Sequence, residues 1–191
     1  SQHGGRVGVF AGVTNVGHCM NGPDLWAQGR KDFPYTSFSS VVNRVSYLMN
    51  FNGPSFPIDT MCSASLTAIY EACEHLRRDE CELAIAGGVN IYLHPSNYKA
   101  MSAQRMLSVD GKCKSFGESA NGSVPGEGVG TVLLKRKSQA EQDGDHIYGL
   151  IRSAAINHGG KTSGYTVPNP NAQAELIGKA LSRAQLDARM V

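Results

Sequence analysis

One tryptophan stands in 191 residues, and aromatic residues make up 7% of the chain. A core here must therefore be built mainly from aliphatic and small side chains. Charge of one sign is also missing. The 18 basic residues nearly balance the 16 acidic ones, leaving a net +2, which argues against a chain built for nucleic acid or a membrane surface. No apolar run approaches the roughly 18 residues that span a bilayer. The five cysteines, Cys19, Cys62, Cys73, Cys81 and Cys113, are odd in number, and none pairs with Cys-x-x-Cys spacing. This argues against a disulfide framework or zinc site, and reduced thiols in a cytoplasmic protein are expected. The first residues, Ser1-Gln2-His3-Gly4-Gly5, are neither an initiator Met nor a signal peptide.

What the chain does have is 22 glycines and 41% hydrophobic residues. The glycines cluster at apparent turns, and the length suffices for a one-domain core. Short apolar runs read as buried strands at Arg6–Gly12, around Phe56, at Leu83–Val89, at Val129–Lys135 and at 147–156. Pro57 counts against a fully paired central strand at its position. Helical spacing covers Val41–Phe51, with Val41, Val45, Leu48 and Met49 inward and a stop at Asn52-Gly53-Pro54. A second helix begins near Cys62, presents Leu66, Ile69, Tyr70, Cys73 and Leu76 on one face, and ends near Arg77-Arg78, where cations suit the helix dipole. Short helices are predicted near Leu25–Gln28 and Tyr98–Gln104 and within the charged 135–145 segment. A last helix spans Gln173–Ala184, with Ala174, Ile177, Ala180 and Leu181 inward. The rest of 13–40 and of 94–128 reads as loop, the latter long enough to be functional. Strands alternating with helices imply an α/β layered fold.

The chemistry concentrates at Cys62. It sits where the Phe56 strand turns into a helix, and helix-start N–H groups lack internal partners. A thiolate is stabilised there, and the thiolate is the nucleophile. Its own N–H can supply half of an oxyanion hole. Ser63, Ala64 and Ser65 leave room beside it for an acyl group. The alternative is a buried structural cysteine.

The words around Cys62 resemble the β-ketoacyl synthase (ketosynthase) domains of modular polyketide synthases. Asp59-Thr60-Met61-Cys62-Ser63-Ala64-Ser65-Leu66 is similar to the family's nucleophile motif. The likeness continues through Ala86-Gly87-Gly88-Val89-Asn90, Met106–Phe116, Pro125–Gly130 and Asn157–Thr162. The stretch Tyr165–Gln173 looks most like assembly lines served by a separate acyltransferase. The resemblance implies the thiolase-like fold, two βαβαβ halves in five layers. Residues 1–191 would then be a partial ketosynthase domain, an internal fragment holding the end of the first half and the start of the second. It implies that Cys62 takes an acyl chain from the phosphopantetheine thioester of an acyl carrier protein, after which decarboxylative Claisen condensation with a malonyl-type thioester follows. It implies no metal and no cofactor bound by this chain, no nucleic acid or membrane partner, and a homodimer when intact. The alternative is a non-condensing acyl-relay or gatekeeping domain. A biosynthetic thiolase fits Asp110–Gly130 poorly, and ketosynthase-like structural partners usually lack the cysteine.

The family's two catalytic histidines lie in His-Gly-Thr-Gly-Thr and Asn-x-Gly-His motifs, neither of which occurs here; the first is expected a few residues past Val191, so the isolated chain should be inactive. Among the histidines present, His75 should face solvent, and His3, His18, His94 and His146 have turn or edge contexts. His158, flanked by glycines, is the candidate to act with Cys62 or line the substrate pocket, against a plain hydrogen-bonding loop role. Met61 stands where the family often has alanine and should shape the pocket beside the nucleophile. Ser123 replaces a usual aromatic and Ser163 a usual asparagine. Gly126-Glu127-Gly128-Val129-Gly130 precedes a strand, so it is no phosphate loop; Glu127 should be a buried, hydrogen-bonded structural acid. The run Lys135-Arg136-Lys137 is a solvated face that could touch an acidic carrier.

Overall fold

A computed structural model describes residues 5–15, 17–31 and 37–191. His3 and parts of the 13–40 segment lie outside the described residues. Strand β1 (Val7–Gly12) is central. It is flanked by β2 (Ser55–Ile58) and β3 (Leu83–Asn90), both parallel to it, and β4 (Gly128–Lys135) runs antiparallel to β3. The order is β2-β1-β3-β4. Pro57 therefore sits on an edge strand, where its missing N–H costs no ladder bond on the open side.

The helices are α1 (Asn21–Ala27), α2 (Phe38–Leu48), α3 (Ala64–Arg77), α4 (Ser96–Ala103), α5 (Lys137–Asp143) and α6 (Pro170–Ala184). Helix α1 starts earlier than the sequence suggests, at the end of a 3₁₀ turn over Gly17–Met20.

Helix α3 follows directly on the turn that holds Cys62, and its packing corrects the predicted face. The buried stripe is Ala64, Ala68, Ala72 and Leu76, spaced by four. Leu66 is 71% exposed, while Ile69 packs against the core at its margin. Small side chains won because α3 lies almost on the sheet backbone. Phe10, Cys81, Ala84 and Ala86 complete this core. Arg136 closes the far end, donating to Leu76 O at the helix C-terminus and to Asp79 Oδ1 at 2.6 Å.

His75 is not solvated. Its ring lies 5.0 Å from Phe10 and 5.5 Å from Phe56 between centroids, and its Nδ1 abuts the Glu80 carboxylate without the geometry of a hydrogen bond. A half-apolar ring covers the core's edge better than water does.

Three other expectations are corrected. Helix α2 buries Val42, with Phe38 and Ser46 partly covered, and leaves Val41, Val45, Leu48 and Met49 exposed. Residues 147–156 form neither strand nor helix and pair with no strand among the described residues. They lie against α6, where Ser153 Oγ donates to Ala180 O and Arg183 donates to Ala154 O. Consequently α6 turns Ala184 inward, with Ala172, Leu176, Ala180 and Leu181 half-buried, while Ala174 and Ile177 face solvent.

Candidate active site

The turn from β2 into α3 is braced by its own side chains. Asp59 Oδ1 accepts from Met61 N at 3.1 Å, and Ser63 Oγ donates to Thr60 O at 2.8 Å. Thr67 Oγ1 reaches back to Ser63 O at 3.1 Å and lies 3.0 Å from Thr60 Oγ1. These bonds hold Met61 at φ +56°, a left-handed conformation that costs a non-glycine residue of order 1–3 kcal/mol. Such strain lets the chain reverse sharply and present the next residue. Cys62 follows in a 3₁₀ turn (Met61–Ser63) that runs straight into α3, so its N–H belongs to the unpartnered first turn.

Two glycines set the depth of this turn. A Cβ at Gly12 would meet the Ala64 carbonyl carbon and Ser65 N at 2.6 Å, and one at Gly88 would meet Ser65 Cβ at 2.8 Å. The head of α3 thus rests on the ends of β1 and β3, and Cys62 stands exposed. It opens on a cleft of about 470 Å³ lined by Thr14, Met61, Ser65, Asn90, Tyr92 and Gly128 among others. The cleft lies at the carboxyl ends of the parallel strands, where open α/β sheets bind ligands. No carboxylate, lysine or histidine is among its lining residues. The cleft thus presents a thiol but no side chain that could act as a general base.

The other thiols differ from Cys62. Burial pushes the Cys81 and Cys73 thiols up, the latter offset in part by Arg77. Cys113 is exposed but accepts from Val124 N at 3.1 Å. It belongs to a polar loop in which Lys114, then Ser108, holds the Asp110 carboxyl below its ordinary range.

Met61 is 71% exposed and lines the cleft with Cys62. His158 does not. It lines a separate cavity of about 300 Å³ with Gly160, Tyr165, Thr166 and Asn169, and its Nδ1 accepts from Gly160 N at 2.9 Å. His94 accepts locally from Ser96 N, and His146 meets Tyr148 edge-on. Glu127 is exposed rather than buried, because β4 has no cover on this side; it is hydrogen-bonded, accepting from Tyr92 N at 2.6 Å. Thr14 and Tyr92 were not singled out by sequence reasoning, their only signal being adjacency to strand ends, and Asn90 appeared only as the last residue of the Ala86–Asn90 family word. Among the described residues, no group of three His, Cys, Asp or Glu is arranged to hold a metal, and no helix is long and apolar enough to cross a membrane.

Comparison with known proteins adds family evidence. The profile of the β-ketoacyl synthase N-terminal domain matches residues 1–140, and that of the C-terminal domain matches 148–191. Polyketide synthase PksL of Bacillus subtilis is 53% identical over 191 residues, all of this chain and 4% of that protein. Polyketide synthase ThaG of Burkholderia thailandensis is 51% identical over 180 residues, 94% of this chain and 3% of that one. The chain thus spans a small part of its curated relatives. The oxazolomycin ketosynthase domain OzmH KS7 of Streptomyces albus superposes with a TM-score of 0.92 at 49% identity, covering 96% of this chain and 33% of that domain chain. The ketosynthase from module 6 of the bacillaene synthase of Bacillus subtilis gives 0.84 at 38%, covering 95% and 31%.

Proposed function

From the premise that this chain belongs to the β-ketoacyl synthase family, as part of a polyketide synthase ketosynthase domain with the thiolase-like fold, we propose that Cys62 is its acyl-accepting nucleophile. The observation that carries this reading is the exposed Cys62 Sγ on a strained turn at the head of α3, facing a cleft large enough for an acyl chain. The Cys62 thiolate attacks the carbonyl of an acyl thioester carried on the phosphopantetheine of an acyl carrier protein. The Cys62 N–H, in the first turn of the helix, faces the developing oxyanion. The C–S bond to pantetheine then breaks, and pantetheine leaves as its thiolate, which takes from solvent the equivalent of the proton Cys62 gave up. In the condensing step, a malonyl-type thioester loses carbon dioxide. Its resulting carbanion attacks the acyl-Cys62 carbonyl, forming a carbon–carbon bond and releasing the Cys62 thiolate.

The cleft supplies no general base, so proton handling and stabilisation of the decarboxylating thioester fall to histidines outside this chain's motifs. The likeness of Tyr165–Gln173 to lines with a separate acyltransferase supports that subtype. The family's homodimer is supported by the open edge of β2 and by the exposed Val41, Val45, Leu48 and Met49 stripe of α2, which packs on β2.

The experiment incubates the ketosynthase domain containing this chain with an acyl thioester, with intact mass and peptide mapping as readout. One acyl group on Cys62, absent from Cys62→Ala, is the expected result; loading elsewhere defeats the reading. Adding a malonyl-type thioester then separates the two chemistries. Carbon dioxide and a β-ketoacyl product mark a condensing domain, and loading without either marks an acyl relay.

A further inference from the structure

The β3–β4 ladder ends at the pair Asn90–Gly128, yet the two chains stay joined beyond it. Asn90 Nδ2 donates to Gly126 O at 2.7 Å, and Tyr92 N donates to Glu127 Oε1 at 2.6 Å. The bonds are reciprocal, each strand extension offering one side chain to the other's backbone. Asn90, Tyr92 and Gly128 also line the Cys62 cleft. The glycines of this wall add no side-chain packing to it, since a Cβ at Gly126, Gly128 or Gly130 would meet nothing within 4 Å. Beyond the ladder, the two side-chain bonds take its place. The one to Glu127 involves a carboxylate and is the stronger kind. Tyr92 transmits the restraint further, its ring lying 5.3 Å from that of Tyr98 on α4.

We propose that Asn90 and Glu127 are positioning residues, a reciprocal clamp that fixes the Tyr92–Gly128 wall of the Cys62 cleft and thereby the seat of the acyl chain. Neither side chain acts on the reacting atoms. The clamp governs how well an acyl thioester is held, not how reactive the thiol is. This inference rests on Cys62 being the acyl acceptor.

The test compares Asn90→Ala, Glu127→Ala, Glu127→Gln and the double alanine variant in the ketosynthase domain containing this chain. Two rates are read at Cys62: acylation by a medium-chain acyl thioester, and alkylation by iodoacetamide, which is too small to need the wall. Each alanine variant should raise KM for acylation by about tenfold, the size expected for losing one hydrogen bond that involves a charged group or holds a wall in place. kcat should change little, and the alkylation rate should match wild type. The double variant should be no worse than the worse single, because either break opens the clamp. Glu127→Gln, which keeps an acceptor oxygen, should restore most of the loss. If Glu127→Ala is insoluble, Asn90→Ala carries the same expectation. Unchanged KM in a wild type that loads normally would overturn the clamp, as would a parallel fall of acylation and alkylation. A wild type that fails to load at Cys62 would instead overturn the reading beneath it.

Discussion

Cys81 is wholly buried in the sheet–helix core, whereas Cys62 stands at the lip of an open cleft. Desolvation disfavours the thiolate at Cys81 and Cys73, and the Val124 N–H occupies Cys113. Limited iodoacetamide labelling of the ketosynthase domain containing this chain, read by peptide mapping, should therefore find Cys62 modified first and Cys81 last. Faster labelling at Cys113 would contradict this. Met61 gives the second prediction at this scale. Its side chain shares the cleft with Cys62, so Met61→Ala should raise acylation by α- or β-branched thioesters relative to straight chains. A methionine-to-alanine change removes about three heavy-atom groups from the wall, and one methylene in an apolar pocket is worth about 1–3 kcal/mol. A severalfold shift in the branched-to-straight ratio is expected, and an unchanged ratio would show that the side chain does not gate the pocket.

The turn between β2 and α3 works only because the helix head can sit on the strands beneath it. Gly12 is the tightest point, with α3 backbone on top of it. Gly12→Ala should push the first turn of α3 outward, costing about 1–3 kcal/mol of stability through overpacking. The larger effect should be kinetic, since a displacement of about 1 Å at a reacting group costs about a hundredfold in rate. Acylation by thioester should fall by that order, with the loss larger than the change in Tm explains. Near-normal acylation in Gly12→Ala would show that Cys62 tolerates movement of its helix. Helix α6 is built differently. Asn169 caps it by accepting from Asn171 N and Ala172 N, and donates to Gly159 O. Cap and loop bonds supplement the packing of its half-buried Ala172, Leu176 and Ala180 and its buried Ala184.

The whole chain exposes 13565 Å². A compact monomer of 20.4 kDa would expose about 8,800 Å². Large apolar side chains such as Tyr47, Leu48, Val129, Leu133 and Tyr148 stand exposed on the chain. Apolar surface contributes about 25 cal/mol per Å² when buried, so this chain on its own forgoes much of the burial its sequence provides for. The isolated 191-residue chain should bind a hydrophobic dye strongly and melt without a cooperative transition. It should also form no carbon–carbon bonds, because its cleft holds no histidine. A sharp, dye-free melt would mean that the exposed faces find partners within the chain.

Sequence alone determined the order of most elements and singled out Cys62 as the candidate nucleophile. Short apolar runs, turn glycines and helical spacing are local signals, and Cys62 at a strand-to-helix junction can be read from them. The resemblance of Asp59–Leu66 and its companion words identified the family before any coordinates. Tertiary structure decided the rest. It chose the alanine stripe of α3 over the larger side chains, since a helix seated on glycines needs small contacts. It left residues 147–156 unpaired, because periodicity shows that a segment can form a strand but not whether a neighbour is available. It put His75 against two phenylalanines and His158 in a cavity apart from Cys62. It also joined Asn90 and Glu127 across the end of a ladder, a relation between residues far apart in the chain that no local pattern encodes.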